Sequence, residues 1–189
     1  MPNLDLPRER IKKTSQFAAR LAIIAALNQS CKSDSAALEA IPPTPTRSIG
    51  FAGRNWLVKN GQMGPGNNQW SPENVFTDNA GLHLRITNRE AEWSCSEVSL
   101  AAALGYGCYT FEIVGLEQMS SSEVVGLFLY QNDDNEYDVE LGRFGNIHHP
   151  GAQYVVQPIN HTTVHANRHR FSLNGAVSTV TRHMIDLSS

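Results

Sequence analysis

The sequence predicts an all-β domain, a sandwich or barrel of short strands, and three observations carry that prediction. Segments that alternate apolar and polar residues recur at short intervals from about residue 81 onward, and a period of two marks strands with one buried face. The joints between them ("DNAG", "QNDDN", "GNIHHPG") are made of Gly, Asn, Asp and Ser, the residues that tight turns require. Helical periodicity is nearly absent: only "SLAAALG" (99–105) looks helix-prone, and it is short.

The chain has 189 residues, enough for one domain with a sizeable core. Its amino end reads differently from the rest. Arg8, Arg10, Lys12, Lys13 and Arg20 precede the apolar run "LAIIAAL" (21–27), and "NQSCKSDS" follows it. A basic region, a short apolar run and small or polar residues beyond form the pattern of a secretory signal. The run is too short to cross a bilayer, which takes about 20 residues. Cys31 stands where a bacterial lipoprotein carries its lipidated cysteine. Residues 1–31 are therefore read as an export signal of lipoprotein type, with Cys31 as a membrane attachment and the bacterial cell envelope or extracellular space as destination. An amphipathic N-terminal helix with a buried Cys is the alternative. Residues 32–48, "KSDSAALEAIPPTPTRS", are rich in Ser, Ala and Pro. "PPTP" disfavours helix and favours an extended tether, so the segment reads as a linker to a domain spanning residues 49–189.

Within that domain the strand signals are "GLHLRIT" (81–87), "CSEVSL" (95–100), "CYTFEIVGL" (108–116), "EVVGLFLY" (123–130), "EYDVELG" (136–142), "AQYVVQP" (152–158), "HRFSL" (169–173) and "HMIDL" (183–187). Cys95 and Cys108 fall on consecutive strands of this set. In an exported protein they are candidates for a disulfide, and two small buried thiols are the equal alternative.

Several function classes are excluded. Net charge is −3 and the basic residues are scattered beyond the first fifty positions, whereas a nucleic-acid footprint needs a clustered basic stripe. Neither a phosphate-binding loop nor a dinucleotide fingerprint is present. His148 and His149 are adjacent, so a strand sends them to opposite faces. His161, His165 and His169 are spaced by four, but "NHTTVHANRHRF" reads as loop and strand with exposed histidines. No metal site is expected, no cofactor is called for, and a structural Ca²⁺ ion is not readable from the chain.

The chemistry-bearing stretch is "NEYDVELGRFG" (135–145). Glu136, Asp138 and Glu140 alternate there with Tyr137, Val139 and Leu141. On a strand one face then carries three carboxyl groups and the other three apolar groups. Like charges at neighbouring same-face positions repel, so the pattern suits a solvated edge or a site that needs the crowding. Retaining glycoside hydrolysis uses two carboxyls about 5–5.5 Å apart. Cα atoms at i and i+4 of a strand lie about 13 Å apart, a gap that long Glu side chains close if the sheet is curved. Three crowded carboxyls cannot all stay ionised, so at least one pKa must rise, as a general acid at neutral pH requires.

From about residue 50 the sequence resembles glycoside hydrolase family sixteen, the laminarinase- and lichenase-like enzymes, most closely bacterial members with an EIDIEFSRWG-like core. "EYDVELGRFG" stands at that core, "WSCSEVSLAAALGYGCYTFEI" at the strand pair before it, and "AQYVVQP" at the strand after it. "NWLVKNGQMGPGNNQWSPENVFTDNAGLHLRI" stands at the family's N-terminal segment. The resemblance implies a concanavalin A-like jelly roll of two curved antiparallel sheets, one lining a sugar cleft. It implies Glu136 as nucleophile, Asp138 as assisting acid and Glu140 as acid/base, acting on a β-1,3 or mixed β-1,3/1,4 glucan. Trp93, Trp70, Tyr106 and Phe144 are the candidate sugar platforms, and Arg143, Asn67 and Gln153 the candidate hydrogen-bonding partners. Phe144 stands where these relatives tend to have Trp, and Leu141-Gly142 replaces their Phe-Ser. The family pattern continues past "TRHMIDLSS" with further strands, so the resemblance also implies a C-terminally shortened domain. A non-catalytic lectin-like module and an inactive shortened relative are the alternatives. The expected partner is a polysaccharide, with the protein as a monomer.

Overall fold

The computed structural model describes residues 47–116, 119–160, 162–173 and 180–187, together with the backbone of 20–27. The readings for residues 1–19, for Cys31, for most of the linker and for His161 lie outside the described residues. The described residues form the strands β1 (Arg20–Leu27), β2 (Ser48–Phe51), β3 (Arg54–Val58), β4 (Gly61–Met63), β5 (Asn68–Trp70), β6 (Val75–Asp78), β7 (Gly81–Leu84), β8 (Thr87–Arg89), β9 (Glu92–Ser94), β10 (Ser96–Leu100), β11 (Gly107–Ile113), β12 (Glu123–Asn132), β13 (Asn135–Gly142), β14 (Gly151–Val156), β15 (Arg168–Ser172) and β16 (Thr181–Leu187). Among the described residues, single helical turns stand at Pro72–Asn74 and at α1 (Val164–Asn167).

The chain is an all-β sandwich. Its main sheet has eight strands in the order β15-β14-β13-β12-β1-β10-β3-β2, and the described residues form no closed barrel. The pairs β11–β16, β6–β7, β4–β5 and β8–β9 form smaller antiparallel sheets. Two apolar clusters join the layers. Under β12, β13 and β14, the side chains of Leu127, Leu129, Val139, Leu141 and Ala152 pack on Phe111 of β11 and Ile185 of β16. Under β2, β3 and β10, Ile49, Trp56, Val58, Val98 and Leu100 pack on Val75 of β6, with Leu82 and Leu84 of β7 beside them. Each fully buried Val or Leu contributes about 1.5–3 kcal/mol.

Where the structure differs from the sequence reading, local reasons are visible. The strand read at 81–87 breaks into β7 and β8. The Arg85 amide still donates to the Asn74 carbonyl at 2.9 Å, in register with the β6–β7 pair, whereas from Thr87 the chain pairs with β9; the Arg85 guanidinium lies over the Phe76 ring at 4.3 Å. "SLAAALG" makes no helix: its first residues complete β10 and Ala101–Ala103 are exposed, as expected where a short run has no face to bury. "NHTTVHANRHRF" is loop and strand except for the single turn of α1. The domain was expected to begin at Ile49, yet the sheet also takes in Arg20–Leu27. This segment, read as part of the export signal, pairs with β12 along all eight residues and with β10 along four.

One glycine is required by packing. Gly142 closes β13 against β12, and a Cβ there would stand 2.5 Å from the Glu123 carbonyl oxygen. Glycine at this position is therefore a necessity of the close approach.

Candidate active site

Strand β13 delivers what its alternation promised. Val139 and Leu141 are fully buried between the layers, with Tyr137 against the same cluster, so Glu136, Asp138 and Glu140 share the opposite face. Pairing fixes what stands beside them. Glu140 is registered with Gly126 of β12 and Gln153 of β14, and Asp138 with Phe128 and Val155. Gly126 puts no side chain next to Glu140, which leaves room on that side. On the other side the Gln153 amide donates to Glu140 Oε2 at 2.5 Å.

The three carboxyls are all shifted toward holding their protons. Burial raises Asp138 most, to about 8, and the negative charges of Glu136 and Glu140 add to the effect. Burial also raises Glu136, and a hydrogen bond from Asp138 opposes the rise. A protonated Asp138 donating to an ionised Glu136 satisfies both observations, and the pair titrates as a unit. Glu140 is raised by burial, with the Gln153 hydrogen bond and the positive charge of Arg168 pulling the other way. A proton-holding Asp138 hydrogen-bonded to Glu136, with Glu140 shifted the same way, brings together the ingredients of general acid and nucleophilic chemistry.

Of the other candidates, the structure brings Gln153 into contact with the carboxyls and leaves several apart. Trp93 on β9 is 50% exposed, a surface a sugar ring can reach. Its strand is held by Asn74, whose amide donates to the Ser94 carbonyl and hydroxyl at 3.0 Å each. Trp70 is a core residue instead: it is 0% exposed and its indole N–H donates to the Met63 carbonyl at 2.6 Å. Tyr106 lies with Leu104, Gly105, Cys108 and Tyr109 around a shallow depression that contains none of the three carboxyls. Arg143 is exposed, and Asn67 is occupied at its side-chain oxygen by the Gln62 amide at 2.6 Å. Phe144 follows β13 at φ 52° and meets the ring of His149 edge-on at 4.9 Å.

Cys95 and Cys108 form no disulfide. Cys95 is buried, with its thiol 3.5 Å from Asn68 Oδ1, while Cys108 is exposed on β11. Among the described residues no group of His, Cys, Asp and Glu is placed to hold a metal ion. His148, His165 and His169 are exposed, but His149 is half-buried, and its Nδ1 accepts from the Gly151 amide at 3.2 Å.

Sequence reasoning missed four residues of this face. Glu97 on β10 is half-buried and registered, through β1 and β12, with the row that holds Glu140. Its negative charge helps to raise Glu136. Lys59 meets Glu97 at 2.6 Å and sits over the Trp70 ring at 4.4 Å. On the other flank Arg170 and Arg168 of β15 are registered with Gln153 and Val155. The signal that identified β13, a charged residue alternating with buried ones, is present in "SEVSL" with a single charge, whereas in "RHRFS" none of the residues is buried. A cavity of about 840 Å³ lies elsewhere, lined by Phe51, Trp56, Leu82, Leu84, Phe111 and Ile113 among others and by none of the three carboxyls. Carboxyl chemistry, not void size, therefore identifies the site.

Compared with known proteins, the chain matches no family model, no curated protein and no solved structure.

The raised Asp138 has a thermodynamic consequence. The folded chain holds this proton up to about pH 8, whereas an unperturbed aspartate releases it near 3.8. Between those values the folded state binds more protons than the unfolded one, so this group's contribution to stability is lost as pH rises through the window. Asp138→Asn keeps a hydrogen-bond donor toward Glu136 and cannot titrate. Its melting temperature is expected to fall less than that of the wild type between about pH 5 and pH 8. Melting curves across that range check this, and parallel pH slopes for the two proteins would contradict it.

Proposed function

We propose that this protein is a retaining endo-glycosidase acting on a β-1,3 or mixed β-1,3/1,4 glucan, a relative of glycoside hydrolase family sixteen. The observation that carries the reading is the carboxyl ladder: three crowded acids on one face of β13, all raised, two of them sharing a proton. Glu140 protonates the leaving oxygen, since burial keeps its proton available and Gln153 fixes its orientation. Glu136 attacks the anomeric carbon, held as the ionised partner of the pair by the hydrogen bond from Asp138. Glu140, now ionised, removes a proton from water, which releases the sugar with its configuration retained. Trp93, half exposed on β9, is the candidate ring face for the glycan.

On laminarin and on mixed-linkage glucan, new reducing ends are expected, with the β-anomer formed first. Glu140→Gln is expected to lower kcat by about 10²–10⁴-fold, and Glu136→Gln to lose measurable turnover. Hydrolysis unaffected by Glu136→Gln sinks the mechanism, and affinity for glucan without any product would assign the fold to a binding module instead.

The destination proposed is the bacterial cell envelope or beyond, with the basic and apolar amino end as the export signal and Cys31 as the lipidated residue. This reading competes with the main sheet for one segment. Removal of the leader takes β1 away from β10 and β12, whereas an uncleaved chain keeps it. Mass spectrometry of the mature protein from the native cell is expected to find a lipid-modified amino terminus at Cys31. An intact terminus upstream of Arg20 in soluble protein would contradict export by cleavage.

A further inference from the structure

The flank of the carboxyl face formed by β15 carries two guanidinium groups that the hydrolytic mechanism does not use. Arg170 is registered with Gln153 and Arg168 with Val155, and Gln153 and Val155 are in turn registered with Glu140 and Asp138. Directly paired residues share a face, so both arginines rise on the same side as the carboxyls. Two strand spacings, about 9–10 Å, separate β15 from β13. Neither arginine forms an ion pair with a carboxylate of the described residues. Both nevertheless act on the groups around Glu140. Arg170 Nε stands 3.5 Å from Gln153 Oε1, and the charge of Arg168 acts on Glu140. The charges of both also reach His149. Cations that only guard an edge strand against pairing have no reason to converge in this way. The face is thus polarised, with proton-holding acids along β13 and a convergent cationic pair along β15, separated by the uncharged Gln153 and Val155.

Two guanidiniums on one strand face, neither ion-paired with a carboxylate of the described residues, form a fork-like receptor for an oxyanion, because each can donate two parallel N–H groups to a carboxylate or sulfate. A neutral sugar hydroxyl uses neither the charge nor the paired donors. We propose that Arg168 and Arg170 form a subsite for an anionic substituent, a carboxylate or a sulfate ester, borne by the glycan next to the scissile bond. The preferred substrate is then an acid-bearing β-glucan rather than the unmodified polymer. The inference rests on the glycosidase reading and narrows its substrate.

The test uses the full chain carrying Glu136→Gln, so that ligands bind without being consumed, and three laminari-oligosaccharides of equal length. One is unmodified, one sulfated, and one oxidised at C6 to the uronate. Calorimetry is expected to show at least tenfold tighter binding of one acidic ligand over the neutral one, and which one identifies the anion. That advantage is expected to shrink as salt is raised and to collapse in Arg168→Gln and Arg170→Gln, with partial retention in Arg170→Lys. Equal affinity for the three ligands, or an acidic preference that survives both Gln substitutions, overturns the subsite. Equal affinities combined with glucan turnover by the wild type leave the glycosidase reading intact. An acidic preference in a protein that cleaves none of the three upholds the subsite and rejects the hydrolase.

Discussion

The period of two along β13 is the constraint on which the rest of the structure depends. Val139 and Leu141 bury themselves between the layers, and that burial forces Glu136, Asp138 and Glu140 together on the other face. A slip of one residue in the pairing with β12 or β14 would exchange the two sets. It would drive three carboxyls into an apolar core, at a cost of several kcal/mol for each that stayed charged. Apolar packing therefore holds in place a cluster whose own electrostatics are repulsive. Gly142 sets the end of this arrangement, because β12 and β13 approach too closely there for any side chain.

The acids on this face are accommodated in three different ways. Glu97 is paired with Lys59, which also donates to the Gly64 carbonyl at 2.5 Å. Glu136 and Asp138 share a proton, so one charge serves two groups. Glu140 keeps an amide donor on one side and feels the Arg168 charge from beyond it. Burial is the largest influence on each of the four, so water exclusion rather than mutual repulsion sets most of the proton affinity of the site. The protonation pattern is accordingly sensitive to anything that opens the face to solvent.

How much of this was legible in the sequence depends on the length of the signal. Strands β10 to β16, each five residues or longer, could be read as strands, and in β13 the faces could be assigned as well, as Val139 and Leu141 illustrate. Strands β2 to β6 are three to five residues each, too short for a period to declare itself, and their pairing is decided by tertiary contacts such as those of Trp56 and Val75. The carboxyl triad was legible because three acids in alternation are conspicuous. Glu97 and Lys59 were not, since a lone Glu on a strand and a Lys after it acquire meaning only when the sheet brings them opposite the triad. Trp70 shows the converse. Its residue type suggested a sugar platform, but only the fold reveals that the Met63 carbonyl and complete burial make it part of the core.

The account stands on Asp138 being a neutral acid that donates to an ionised Glu136. Carboxyl-selective ¹³C NMR titration of the full chain, with Asp138→Asn used to assign the resonance, reads this directly. The account predicts an Asp138 carboxyl that is still protonated at neutral pH and titrates near the value of about 8, with a small reciprocal shift at Glu136. An Asp138 that ionises below about pH 5, as an exposed aspartate does, would contradict it.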